Sequence, residues 1–156
     1  MSLHLTVLPK KPSEETDKRD VTAGRPDHRP DRNIWAGLTY DDAAAARAWL
    51  TTLGFTPGLV VPGEGKDERH HSEMLWPEGG RVMVSSRGTL PAAFEAPRGS
   101  SVLYVVTADP DAVYARALAL GAPVDRELCD QTDYVSRNFT IRDVEGNQWS
   151  FGTYAG

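Results

Sequence analysis

His71 and Glu73 are the one pair whose types and spacing suggest acid/base chemistry. Two positions apart on an extended strand, they share a face with about 6–7 Å between them, so one substrate could meet both. An imidazole near neutrality can move a proton while the carboxylate orients it. The plain alternative is a partly solvated strand end following the charged run Asp67-Glu68-Arg69. His70 faces the other way, and His4 and His28 fall in a Pro-rich leader with no chemical role. Trp35 and Tyr104 could stack on a planar or cationic ligand, or simply fill a closed cavity. Arg142 could hold a ligand carboxylate or phosphate, or end in a surface salt bridge. Cys129 reads as a small strand residue rather than a nucleophile. The sequence holds no Gly-rich phosphate loop, nucleophile elbow or Cys/His cluster.

Composition narrows the classes. A chain of 156 residues suits one domain with a real core, or two small fused modules sharing one. Its 40% hydrophobic and 25% charged residues are ordinary for a soluble globular protein. A net charge of -5 argues against nucleic acid, whose binders carry basic surfaces. No apolar run reaches the roughly 18 residues that a membrane span needs, and the N-terminus does not read as a signal peptide. The single cysteine fits a reducing compartment. The expected location is therefore the cytoplasm, with no membrane partner.

The elements that must position these residues come twice. Residues 1–32 carry Pro9, Pro12, Pro26 and Pro30 among mixed charges, and so read as a flexible tail. Leu3, Leu5, Val7 and Leu8 offer the alternative of an added edge strand. From Asn33 the pattern predicts a strand over 34–40 and a helix capped by Asp41 or Asp42, with Ala46, Trp49, Leu50 and Leu53 as its apolar stripe. Gly54 closes that helix. Strands over 55–61, 69–76 and 81–86 complete a first module over 33–86. A Gly/Pro-rich connector spans 87–100. The second module, 101–156, repeats the order: a strand over 101–107, and a helix capped by Asp109, striped by Val113, Ala117 and Leu120 and closed by Gly121. Strands over 123–130, 134–142 and 148–154 follow.

The two modules align without gaps at an offset of 67: Asp42 with Asp109, Gly54 with Gly121, Glu78-Gly79 with Glu145-Gly146. Both helix caps and both hairpin turns coincide at one offset, so the chain is a duplicated βαβββ unit. The predicted fold class is α+β, two tandem modules forming a curved mixed sheet, a cup, with the helices on its outer face.

This pattern resembles the vicinal oxygen chelate superfamily of glyoxalase I, extradiol dioxygenases, fosfomycin-resistance enzymes and bleomycin-resistance proteins. The resemblance covers about residues 33–155. It rests on Leu38-Thr39-Tyr40-Asp41-Asp42, on His71-Ser72-Glu73-Met74-Leu75 and on the closing segment Asp143 to Tyr154. It implies a cup built from paired modules that encloses a ligand. Metal-dependent members are similar to one another in carrying His or Gln on each module's first strand and Glu on its last. On this chain those positions fall on Trp35, Val102, Met83 and Ser150. None is a usual donor for Zn²⁺, Ni²⁺, Mn²⁺ or Fe²⁺, so no metal and no other cofactor is expected.

Strand alternation and the repeat then give the cup lining: Trp35, Thr39, His71, Glu73, Met83, Tyr104, Asn138, Arg142, Gln148 and Ser150. The expected protein is a homodimer of the bleomycin-resistance type that holds a small organic molecule, a drug among the possibilities, without turning it over. Two enzyme readings stand beside it. One is a lyase or isomerase using His71 and Glu73 for proton transfer. The other is a divalent-metal enzyme with atypical ligands.

Overall fold

Two short acidic stretches start the two helices. In the computed structural model, which describes residues 34–156, Asp42 accepts a hydrogen bond from Ala45 N at 2.9 Å and opens α1, Ala43–Leu53. Asp109 does the same from Ala112 N at 3.0 Å and opens α2, Pro110–Ala119. Each satisfies a donor that the first helical turn leaves unpaired. Gly54 ends α1 at φ 132°, a conformation that side chains rarely adopt. The leader over 1–32 and its alternative strand lie outside the described residues.

The strands are β1, Ala36–Tyr40; β2, Thr56–Pro62; β3, Arg69–Leu75; β4, Arg81–Ser86; β5, Val102–Val106; β6, Val124–Asp130; β7, Arg137–Arg142; and β8, Gln148–Gly152. A short 3₁₀ turn, Ala92–Phe94, lies in the connector. They form two four-stranded mixed sheets, ordered β1-β4-β3-β2 and β5-β8-β7-β6. In each sheet the first strand of the unit runs parallel to the last, and the other pairings are antiparallel. This is the expected pair of βαβββ modules. The elements begin or end one to three residues inside several predicted limits, and β1 starts at Ala36, which leaves Trp35 just before it.

One face of each sheet packs against its helix. Leu38, Tyr40, Met74, Val82 and Val84 from the first sheet meet Phe139, Ile141, Trp149 and Phe151 from the second in one core. The ring of Phe55 lies 5.6 Å from that of Trp149, and Trp76 lies 5.6 Å from Phe151, so aromatic contacts join the halves. The helices also touch. Among the described residues no strand of one sheet lies alongside a strand of the other.

The repeat reappears in the polar contacts between modules. Glu145, in the β7–β8 turn, accepts from Asp41 N and Asp42 N at 2.8 and 2.9 Å, holding the start of α1. Its counterpart Glu78, in the β3–β4 turn, accepts from Ala108 N at 2.7 Å, just before α2. Each module's last hairpin therefore grips the other module's helix entry, where a carboxylate meets the positive end of the helix. Asp143 carries the buried centre of this junction. One of its oxygens accepts from Tyr40 Oη (2.6 Å), Trp149 Nε1 (3.0 Å) and Asn147 Nδ2 (3.1 Å). The other accepts from the backbone N–H groups of Glu145 and Asn147. Burial, and then the charge of Asp143, push the Tyr40 phenol far above its ordinary range, so it stays a neutral donor.

Candidate functional site

Because each sheet buries one face, strand alternation turns the other face towards the expected cup. On the first sheet, Gly37 and Glu73 both lie opposite Met83, Val61 lies opposite His71, and Leu75 lies opposite Arg81. The Met83 methyl lies over Gly37, at ordinary contact distance, 3.7 Å, from where a Cβ would stand. Thr39 shares this face opposite Ser85, and its carbonyl accepts from Arg87 Nη2 at 3.4 Å.

His71 and Glu73 come together as expected, with 3.5 Å between His71 Nε2 and Glu73 Oε1. The other carboxylate oxygen is held by Arg81 Nη1 at 2.5 Å. The Arg81 guanidinium in turn lies 4.5 Å from the centre of the Trp35 ring. Trp35, Arg81, Glu73 and His71 thus form a chain of ring, cation, carboxylate and imidazole. It grades outward: the Arg81 side chain is 3% exposed, Glu73 13% and His71 33%.

The second sheet presents three rows: Val102–Gln148–Arg142, Tyr104–Ser150–Thr140 and Val106–Gly152–Asn138. Its chemistry is different. Thr140 and Ser150 share a hydrogen bond at 2.8 Å. Asn138 is buried, accepting from Gln131 Nε2 at 3.1 Å and donating to Ser136 Oγ at 3.1 Å and to Tyr134 Oη at 3.4 Å. Arg142 forms a salt bridge. Its Nε lies 2.5 Å from Asp125 Oδ2, which also accepts from Gln148 Nε2 at 3.0 Å. The Gln148 bond, followed by the charge of Arg142, holds the Asp125 carboxyl below its usual range. Tyr104 stands over Gly152: its hydroxyl would be 2.7 Å from a Cβ there, so only glycine fits beneath it. That hydroxyl donates to the Tyr154 carbonyl at 3.1 Å.

All ten expected lining residues therefore lie on or beside the two open faces. Five sit on the first module and five on the second. Two further residues belong with them. Arg81 is the counterpart of Gln148, and Thr140 of Glu73, at the offset of 67. Strand alternation alone sends Thr140 to the cup side with Asn138 and Arg142, and applying the repeat to each lining residue finds Arg81.

A groove of about 820 Å³ runs between the modules beside these faces, with Phe55 and Trp76 in its wall, Arg81 and Glu78 on one side and β5 on the other.

The family model of the Glyoxalase/Bleomycin resistance protein/Dioxygenase superfamily matches residues 33–151. The chain belongs to this superfamily. Solved structures agree on the fold. TioX from Micromonospora sp. ML1 is 28% identical with a TM-score of 0.63, over 80% of this chain and 99% of that one. Lactoylglutathione lyase from Agrobacterium tumefaciens is 21% identical (TM-score 0.57; 80% and 94% covered). The fosfomycin resistance protein FosX from Listeria monocytogenes is 12% identical (TM-score 0.56; 81% and 96% covered). At those last two identities the likeness shows the fold alone. No curated protein matches the chain.

Superfamily membership raises a metal centre, and the donor set decides whether the residues fit one. The four positions that the superfamily uses hold an indole, a thioether, an isopropyl group and a neutral hydroxyl: Trp35, Met83, Val102 and Ser150. Ser150 already bonds Thr140. Elsewhere among the described residues no group of three or more His, Cys, Asp or Glu is arranged to hold an ion. His71 and Glu73 supply two donors, one of them engaged by Arg81. These residues do not fit a superfamily-type metal centre.

Proposed function

We propose that this superfamily member binds a small organic molecule in a metal-free cup and sequesters it without turnover. The observation that carries the reading is the replacement of all four metal-ligand positions by Trp35, Met83, Val102 and Ser150, on faces that still combine aromatic and polar groups. Trp35, Thr39 and Met83 serve the first face, and Tyr104, Asn138, Arg142, Gln148 and Ser150 the second. Of these, Asn138 and Arg142 shape the surface through their neighbours.

The working unit in this proposal is a homodimer in the cytoplasm, which binds neither nucleic acid nor membrane. Among the described residues β1 and β5 are each paired along one edge only. Val102, Tyr104 and Val106 leave β5's outer face apolar and open, with Val102 72% exposed. A second copy would cover that face and close each cup from two chains. No helix among the described residues is long and apolar enough to cross a membrane.

A second reading has its own observation. The His71–Glu73 pair, with the carboxylate steadied by Arg81, is the arrangement that a proton-transferring lyase or isomerase needs. One experiment separates the two readings. A broad library of aromatic and drug-like compounds is screened by melting temperature, and each hit is incubated with protein and followed by mass spectrometry. Recovered, unaltered ligand supports sequestration. Conversion that survives in wild type and disappears in His71→Ala supports the enzyme. A library that raises no melting temperature refutes the binding site itself.

A further inference from the structure

The two open faces occupy equivalent places in a duplicated unit, yet only the first buries an ion pair near its centre. Glu73 would by itself make that face a cation site, since a half-buried carboxylate beside an exposed indole attracts ammonium and pyridinium groups. Arg81 changes this. Its guanidinium sits 2.5 Å from Glu73 Oε2, and its carbon centre lies 4.5 Å from the Trp35 ring, so one cation serves both acceptors. At 3% side-chain exposure it is held in place, while Trp35 keeps 40% of its surface exposed.

We infer that Arg81 is the specificity residue of the first face, and that it directs the Trp35 surface towards uncharged planar rings and away from cations. The inference rests on the ligand-binding reading above. Physically, a cationic ring stacked on Trp35 would meet the Arg81 charge across the indole. It would also find the Glu73 charge already compensated, so the added attraction of a cation is lost. An uncharged ring of the same shape keeps its dispersion and stacking contacts. His71 and Arg69 are the other titratable groups that β3 places on this face. His71 flanks Glu73 on the side away from Arg81, 3.5 Å from the carboxylate.

The test uses a pair of probes of nearly the same shape, quinoline and N-methylquinolinium, titrated into full-length protein at pH 8. Binding is followed by tryptophan fluorescence, with Trp35→Phe as the control that separates the Trp35 signal from that of Trp76 in the groove wall. Wild type should bind quinoline at least as tightly as the cation. Arg81→Met should move the affinity ratio at least tenfold towards N-methylquinolinium, because Glu73 is then uncompensated. Arg81→Lys should restore part of the wild-type ratio. Should Arg81→Met fail to fold, Glu73→Gln tests the same point: it should move the ratio the other way. A ratio unmoved in either folded variant overturns the inference, as does a wild type that prefers the cation or binds neither probe at Trp35. Library hits that bind elsewhere on the two faces would leave the sequestration reading standing while this one falls.

Discussion

Replacing Tyr40 by Phe removes one oxygen from the junction between the modules and nothing else. The ring is fully buried, and its hydroxyl donates to Asp143 Oδ2 at 2.6 Å across 103 residues of sequence. A hydrogen bond to a charged acceptor contributes about 1.5–3 kcal/mol. Asp143 keeps four other donors in the variant, so its carboxylate is not stranded. The expected loss is therefore that of a single charge-assisted bond, about 2 kcal/mol. For a chain of this size each kcal/mol lowers the melting temperature by roughly 2–4 °C, which gives a fall of about 4–8 °C. Asp143→Asn should cost considerably more. Oδ2 receives three donors and Oδ1 two, so an amide nitrogen in either position faces donors rather than acceptors.

Urea unfolding of the two single variants and the double variant measures the coupling directly. In the Asp143→Asn background, loss of the Tyr40 hydroxyl should cost little, so the cycle should return about 1.5–3 kcal/mol. A coupling below about 0.5 kcal/mol would refute the argument. It would mean that the hydroxyl is satisfied elsewhere and that the junction does not depend on this bond.

Three further outcomes follow from the same contacts. Asp41 bonds Arg87 Nε at 2.7 Å and Arg98 Nε at 3.0 Å, and the Arg87 bond is the main cause that lowers its carboxyl below the ordinary range. A lowered folded pKa stabilises above the unfolded value and is lost as pH falls through the folded one. Melting temperature should thus drop between about pH 4 and lower pH, and Asp41→Asn should flatten that drop; an unchanged profile in the variant would remove Asp41 from the cause. Val102→Asp, placed on the open face of β5, should convert a dimer to a monomer in light scattering without lowering the melting temperature of the monomer; a wild type that is already monomeric defeats the dimer proposal. Protein purified without chelator should carry less than a tenth of an equivalent of Zn, Ni, Mn or Fe by elemental analysis, and a stoichiometric amount of any of them would overturn the metal-free proposal.

The fold was legible because its signals were local and repeated. Asp42 with Gly54, and Asp109 with Gly121 one residue past the Leu120 cap, mark both helices by capping chemistry that needs only neighbouring residues. Both β-hairpin turns share one hydrogen-bond pattern, Gly79 N to Trp76 O and Gly146 N to Asp143 O, which explains why Glu78-Gly79 and Glu145-Gly146 align. The pairing of His71 with Glu73 followed from a period of two. What sequence could not reach were the contacts between distant segments. Nothing in the residues around Arg81 signals its partner, and only the β3–β4 register sets it beside Glu73. No sequence spacing pairs Arg142 with Asp125, which a neighbouring strand brings to it. Asn138 alternates onto the open face as expected, but the segment from Gln131 to Ser136 folds back over it.

The duplication therefore bears on function through its departures from symmetry. The reciprocal grips of Glu78 and Glu145 on opposite helix entries fix the frame, and they tolerate little change because backbone N–H groups on both modules depend on them. The open faces are under no such constraint. At equivalent positions one carries Arg81, Glu73 and His71, and the other Gln148, Thr140 and Asn138. Along those pairs one face is an ion-pair surface and the other a neutral amide and hydroxyl surface. A metal centre in this fold would need like-minded donors from both halves, and here the halves have diverged in chemistry while keeping their geometry. A ligand that reaches both faces would meet two different solvents, and its selection would come from that contrast rather than from a common ion held between them.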